Sequence, residues 1–518
     1  MSTYTQREVD GLFELTESTL AELKSSKYYN DDLSPTSVSE RSWTTYSITM
    51  LWVGMSICIP SLSLASGLIG LGVSPWLSVL NVALGNILIL IPIQLNSQIG
   101  TKYGIPFPLF ARLTFGTLGA QIPALLRAIT ACGWTSVQAW VGGGAVGAMI
   151  GAFVPKFADE GWTIGLPSWG GIQESGGGQF FGYVIFMLFI AWVAYNGIDQ
   201  IKWVQNIGSP ILIVVMIGLL AWAYSITPDG TGFFEVMAQP SDSALIEASG
   251  GFAFVYLSGL MGNIAFWATM ALNIPDFSRY AKTQKDQLYG MPLPMAACAF
   301  IGAYFSQATK MAYGEAMFDP TGVFYHLDNK IMIFIAAIGT IAATVTTCVA
   351  ANVVAPANGF SNLAPKKISY RKGVIITIII AFFILQAWWI YGSGAAYFTW
   401  MNAYGTILAP IAAIFIADYF IVKHKRADIA SLFKGAEGRY WYSGGFNVAA
   451  IIAWVLAFIF PLLTYFGVQG SFWTFINSIN YVWSFVIGFV VYILLMKTSL
   501  AGNSHITEEE HEALTERA

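Results

Sequence analysis

Charge is what this 518-residue chain lacks most: 10% of its residues are Asp, Glu, Lys or Arg against 56% hydrophobic, at a mean hydropathy of +0.60. Soluble domains carry roughly 25% charged residues, so a polytopic membrane protein is expected. The net charge of −4 decides little, because placement matters more than the sum. Cysteine is scarce too. Cys58, Cys132, Cys298 and Cys348 all fall in apolar stretches, with no disulfide framework and no zinc spacing. The four histidines, His326, His424, His505 and His511, lie in loops or the tail, which argues against a histidine relay in the bilayer. No carboxylate falls at mid-depth; Asp276 and Asp418 sit near the ends of apolar runs. A proton relay therefore lacks an obvious carrier and a charged substrate lacks a counter-ion. An intramembrane hydrolase would have neither a nucleophile–base pair nor a metal triad. A non-enzymatic carrier of a neutral molecule is favoured, with no nucleic-acid partner.

What the chain does have is apolar runs long enough to span ~30 Å of hydrocarbon. Twelve are counted, near 46–71, 75–98, 121–153, 179–197, 204–226, 250–273, 290–312, 331–357, 373–392, 396–422, 446–467 and 471–496. Fifteen basic residues fall on one side of that pattern: Lys102, Arg112, Lys202, Arg279, Lys282, Lys285, Lys366, Lys367, Arg371, Lys372, Lys423, Lys425, Arg426, Lys434 and Arg439. Only three, Lys156, Lys310 and Lys330, fall on the other. The positive-inside rule then places both termini in the cytoplasm. Residues 1–44 are polar, without a cleavable apolar run, and read as a cytosolic tail. The faintly amphipathic stretch Leu12 to Leu23 reads as a surface-lying segment or a plain terminal helix.

Two runs look interrupted. Run 1 holds Gly54, Ser56, Cys58, Pro60 and Ser61 at mid-depth, and Pro60 removes a helix hydrogen bond near Ser56. Run 6 holds Gly259, Gly262 and Asn263 ahead of Trp267, and ends Asn273-Ile274-Pro275-Asp276. Broken helices in corresponding places mark a midplane site between inverted repeats. Runs 1 and 6, and 3 and 8, are five apart, which suits two five-span repeats (45–226 and 250–422). Two extra spans (446–496) and a cytosolic tail (497–518) follow. A simple proline kink is the plainer reading of run 1.

Run 3 sets Trp134 and Gln138 four residues apart on one helix face. With Trp267 and Asn352 they offer two indoles and two carboxamides, suited to stacking on a flat ring and pairing with its N–H and C=O edges. The alternatives are packing by Trp134 and helix–helix hydrogen bonds by Gln138 and Asn352. Gly143, Gly147 and Gly151 form a close-packing stripe. In run 8, Thr346 and Thr347 stand beside the Ala343 carbonyl, and with the Gly54 and Ile57 carbonyls could supply neutral oxygens to Na⁺. Threonines bonding back to carbonyls one turn earlier are the alternative.

These residues, with the runs Thr101-Lys102-Tyr103-Gly104-Ile105-Pro106-Phe107-Pro108, Asn273 to Tyr280 and Asp418-Tyr419-Phe420, give the chain its resemblance. Over roughly residues 35 to 495 it resembles the first family of nucleobase:cation symporters, which includes the bacterial sodium–hydantoin symporter and allantoin and uracil permeases. The resemblance implies an all-α, twelve-helix membrane protein of the leucine-transporter type, with a 5+5 inverted repeat and two C-terminal helices. It implies Trp134 and Trp267 as stacking indoles and Gln138 and Asn352 as edge readers. It also implies Gly54, Ile57, Ala343, Thr346 and Thr347 as Na⁺ donors. Cys58 departs from the glutamine or asparagine of relatives, and Phe266 from a glycine. The first removes a hydrogen-bonding amide from the expected pocket and the second narrows it, and the reduced hydrogen-bond count favours a smaller ring such as uracil.

The expected function is import of a nucleobase or cyclic ureide of uracil, hydantoin or allantoin type by Na⁺ symport, as a monomer in the cell membrane. H⁺ coupling, a vitamin or amino-acid permease, and a non-transporting receptor are the alternatives. The short acidic tail Thr507 to Ala518 disfavours the receptor.

Overall fold

The computed structural model describes residues 4–517 apart from 160, 169–170, 197, 288–291, 364–366 and 503. Lys366 and positions 197, 290 and 291 of runs 4 and 7 lie outside the described residues. Helix dominates, since a backbone in lipid must satisfy its own hydrogen bonds. By length and composition, five described helices are able to cross a membrane: Pro75–Tyr103, Gly177–Tyr195, Lys330–Thr347, Gly394–Val422 and Val448–Phe466. Two bent pairs, Thr45–Ser56 with Ile59–Gly70 at 54° and Ser471–Ser478 with Asn480–Met496 at 85°, bring the number to at most seven. That is fewer than the twelve runs, partly because several runs are broken into shorter pieces. Run 6 divides into Phe252–Phe266 and Ala268–Asn273. Run 8 passes from Lys330–Thr347 through a π-helical turn, Cys348–Val353, into Val354–Leu363.

Run 1 is a true break. Ile57 (ψ 89°) and Cys58 (φ −148°, ψ 159°) leave the helix, and Pro60 sits in the first turn of the next one, where its missing N–H costs nothing. The Cys58 N–H bonds to the Ser56 carbonyl and the Ser61 N–H to the Cys58 carbonyl, both at 3.1 Å. The carbonyls of Gly54 and Ile57 thereby lose the donors that a continuous helix would bring them.

The glycine stripe of run 3 does pack closely. A Cβ on Gly143 would collide with the Tyr183 backbone, and one on Gly147 with the Gly178 carbonyl. Run 2 braces run 6 through its asparagines. Asn263 Nδ2 donates to Asn81 Oδ1 and Asn96 Nδ2 to the Ala271 carbonyl, each at 2.8 Å. At one end of the molecule the Thr101–Pro108 and Asn273–Tyr280 motifs join, with the Phe107 N–H donating to Asp276 Oδ1 at 2.9 Å.

Three features correct the sequence reading. The fold is not purely helical: Gln6–Val9, Leu12–Leu15 and Thr515–Arg517 form a three-stranded sheet, and Thr163–Ser168 pairs with Gly171–Gly176. The Leu12 to Leu23 stretch is a strand followed by the helix Glu17–Leu23, with Phe13 and Leu23 buried in the protein rather than spread on a surface. Phe13 stacks on Tyr103, and the Tyr103 hydroxyl bonds His511, so the two tails dock together. Lys423, counted among loop cations, is fully buried in an ion pair with Asp418. A local π-helical turn, Ala417–Val422, precedes it, and the Tyr492 hydroxyl also donates to Asp418, at 2.7 Å.

Candidate functional site

Runs 1, 3, 6 and 8 line a cavity of about 50 Å³. Its wall holds Met55 and Cys58, then Arg127, Trp134 and Gln138, then Phe266, Trp267, Thr269 and Met270, and finally Thr347, Ala351 and Asn352. All six positions expected to meet a substrate share this wall: Trp134, Gln138, Trp267, Asn352, Cys58 and Phe266. Of the five expected cation donors, Thr347 alone is on it.

Local structure explains the convergence. Run 3 is one continuous helix, Gln121–Gly151, so Trp134 and Gln138 project together. Trp267 sits at the break in run 6 (φ −101°, ψ 10°), which turns its indole out of the helical register. Its Nε1–H donates to Asn86 Oδ1 at 2.9 Å, and Trp52 meets its ring edge-on at 5.4 Å. Trp134 lies in an aromatic cluster with Trp400 at 5.0 Å and Tyr397 at 6.0 Å. Among the described residues no hydrogen bond ties the Gln138 or Asn352 side chain to a neighbouring helix. Run 8 is instead held to run 3 through backbone, Thr135 Oγ1 donating to the Asn352 carbonyl at 2.7 Å.

Phe266 is the surprise. It stands edge-to-face on both indoles, 4.9 Å from Trp134 and 5.1 Å from Trp267. The phenyl ring therefore stands against both indoles expected to stack on a ligand, and the chamber that remains is large enough for only a few waters.

The chamber is also not free of charge, contrary to the expectation that a charged substrate has no counter-ion there. Arg127, in the first two turns of Gln121–Gly151, is 6% exposed and lines the cavity. The sequence carried a signal for it: residues 127, 134 and 138 follow an i, i+7, i+11 spacing and share a helix face. Asn86 was missed as well, although a buried asparagine in an apolar helix calls for a partner.

On the cation side, Thr346 Oγ1 donates to the Ala343 carbonyl at 2.6 Å and Thr347 Oγ1 to the same atom at 3.3 Å. This is the back-bonded arrangement of threonine in membrane helices. It leaves hydroxyl lone pairs available. With the released Gly54 and Ile57 carbonyls, the expected donors are all neutral oxygens, a chemistry that would suit a weakly held monovalent cation. No cluster of His, Cys, Asp or Glu able to hold a metal is present among the described residues. A larger cavity of about 500 Å³, lined by Val215, Leu219, Trp222, Phe324 and Thr340, contains none of the expected substrate residues.

Comparison with known proteins bears on this arrangement. Residues 35–488 match the family model described as permease for cytosine/purines, uracil, thiamine and allantoin. A purine-uracil permease of Arabidopsis thaliana is 33% identical, over 92% of this chain and 80% of its own length. The allantoin permease of Bacillus subtilis is 31% identical, over 94% and 97%. Among solved structures, inward-facing Mhp1 superposes with a TM-score of 0.74 at 21% identity, over 94% and 97% of the two chains. Mhp1, a nucleobase-cation-symport-1 family transporter, in a closed conformation with bromovinylhydantoin bound gives 0.73 at 20%, over 94% and 99%.

Proposed function

The chain belongs to the family of permeases for cytosine/purines, uracil, thiamine and allantoin, and from that membership we propose that it imports a nucleobase or cyclic ureide by Na⁺ symport through the chamber between runs 1, 3, 6 and 8. It is a multi-pass membrane permease of nucleobase/allantoin type and not an enzyme. In our reading twelve spans form two inverted five-span repeats plus two further helices, with both tails cytoplasmic and the protein monomeric. Trp134 and Trp267 take the ring between them once Phe266 withdraws. Gln138 and Asn352 read its edges, and Cys58 and Phe266 limit its size. Gly54, Ile57, Ala343, Thr346 and Thr347 supply the cation's oxygens.

One observation carries this proposal: two indoles and two carboxamides from three separate runs meet on one small wall, all but the half-buried Asn352 buried. Sodium at the break in run 1 and substrate at Cys58 would order the same turn. Because linkage is reciprocal, each would raise the other's affinity by the same factor. Uptake of radiolabelled uracil, hydantoin and allantoin into proteoliposomes, with and without a sodium gradient, tests both halves. Failure to take up any of the three refutes the substrate class. Uptake indifferent to sodium but abolished by a protonophore favours proton coupling, which the fully back-bonded threonines would also accommodate.

A further inference from the structure

Among the described residues Arg127 is the one charged side chain on the chamber wall. With the Asn273 amide turned to accept, its Nη2 donates there at 3.1 Å. Nε and Nη1 are buried with no hydrogen-bond partner among the described residues. None of the ion pairs among the described residues includes it. The carboxylate that acts on it, Asp276, is shared with Arg279 and already accepts from the Phe107 N–H. A guanidinium carries five donors and no acceptor, and leaving buried donors unmet is unfavourable. The wall therefore lacks acceptors on the Arg127 side. Nε and Nη1 are closed off in this conformation, and a ring bound in the chamber that Arg127 lines would bring the missing acceptors when the fork turns to it.

Resting on the chamber reading above, we propose that Arg127 determines specificity by reading a ring edge that carries two adjacent acceptors, as O6 and N7 of a 6-oxopurine do. The planar fork of arginine matches such a pair bidentately. A 6-aminopurine puts an N–H₂ donor where O6 would be, and that donor faces a side chain unable to accept. Arg127 lies about 10 Å along the helix axis from Trp134, seven residues at 1.5 Å each. A ring stacked on Trp134 thus has the carboxamide of Gln138 toward one end and the guanidinium toward the other.

The test is equilibrium binding of hypoxanthine and adenine, with uracil and allantoin alongside, to the full-length protein in liposomes at neutral pH, read by tryptophan quenching. The wild-type chain should prefer hypoxanthine over adenine by about tenfold or more. Arg127→Gln should reverse the order, because a carboxamide pairs bidentately with adenine N6 and N7. Arg127→Lys keeps the charge but not the fork and should lose the preference. Equal affinity for the two purines in the wild type, or a preference unchanged in both variants, overturns the proposal. The wild-type ratio decides even if neither variant folds. Binding of uracil or allantoin with no oxopurine preference refutes this inference alone, whereas binding of none of the four refutes the chamber reading with it.

Discussion

Replacing Phe266 by alanine should tighten substrate binding while loosening the fold. A benzene-sized guest needs a void of roughly 150 Å³, about three times the chamber's 50 Å³. Phe266 is the ring best placed to release that space, since it touches both indoles edge-to-face. Each such contact is worth roughly 0.5–1.5 kcal/mol beyond its buried area, so displacing the phenyl ring from both costs about 1–3 kcal/mol. That cost is subtracted from the intrinsic affinity of any ring that enters, which weakens the apparent Kd by roughly 5- to 150-fold. Phe266→Ala removes the cost in advance. Displacement of radiolabelled uracil at equilibrium should show tighter binding within that range, with a larger gain for allantoin than for uracil. Thermal unfolding should occur earlier, because deleting a buried phenyl ring costs about 3–5 kcal/mol where the walls do not collapse. A variant that stays folded yet binds uracil tenfold more weakly would refute the reasoning, since Phe266 would then be part of the stacking platform and not its stopper.

Trp134→Ala and Trp267→Ala should each remove about 1–3 kcal/mol of stacking, seen as a 5- to 150-fold weaker Kd. Unchanged transport in Trp267→Ala would mean the pocket is elsewhere. Thr347→Ala should reduce the sodium dependence of uptake more than it alters competition among ring substrates. Burial, with help from the charges of Lys102 and Arg426, holds His511 down from 6.5 to about 4. The undocked tail therefore binds more protons than the docked one between those values, and docking weakens as pH falls from 6.5 toward 4. Protection factors from hydrogen exchange in the segments 6–15 and 515–517 should fall as pH drops through that window and stay flat above pH 7. Asp418→Asn should lower stability by about 3–5 kcal/mol, because it leaves the buried Lys423 charge uncompensated; a thermal-shift comparison with a double apolar replacement, which should be far milder, checks this.

The parts of this fold legible in the sequence are those governed by local rules. Pro60 announced the break in run 1 because a proline blocks a hydrogen bond in a helix interior but costs nothing in a first turn, so the chain starts a new helix there. Trp134 and Gln138 announced a shared face because 3.6-residue periodicity needs no tertiary knowledge. Arg127 was readable by the same rule, although it lies near the end of run 3, away from the mid-depth residues. Other features depend on partners far away in the chain. The sheet between Gln6–Val9 and Thr515–Arg517 joins segments some 500 residues apart, and no periodicity encodes it. Lys423 reads as a loop cation until the backbone brings it onto Asp418, five residues back. Phe266 was expected to narrow the pocket; that it contacts both indoles depended on the rotation introduced at Trp267.

That break at Trp267 and the one at Ile57–Cys58 connect the two halves of the proposed coupling. In run 1 a single stretch of five residues, Gly54 to Cys58, would do two jobs. The Gly54 and Ile57 carbonyls are released from the helix, while the Met55 and Cys58 side chains face the chamber. Run 8 repeats the pattern within five residues, with Ala343, Thr346 and Thr347 on the oxygen side and Thr347 also on the chamber wall. Thr347 thus belongs to both sets, and a cation that draws its hydroxyl away from Ala343 must also change the wall met by the ring. Coupling of this kind needs no long pathway, because both ligands bias the same short segments of backbone. It follows that Thr347→Ser, which keeps the oxygen and removes a methyl group, should retain sodium-dependent binding, whereas Thr347→Val, which keeps the shape and removes the oxygen, should uncouple the two. If Thr347→Val binds uracil with an undiminished sodium effect, Thr347 is only a wall residue and the coupling lies elsewhere.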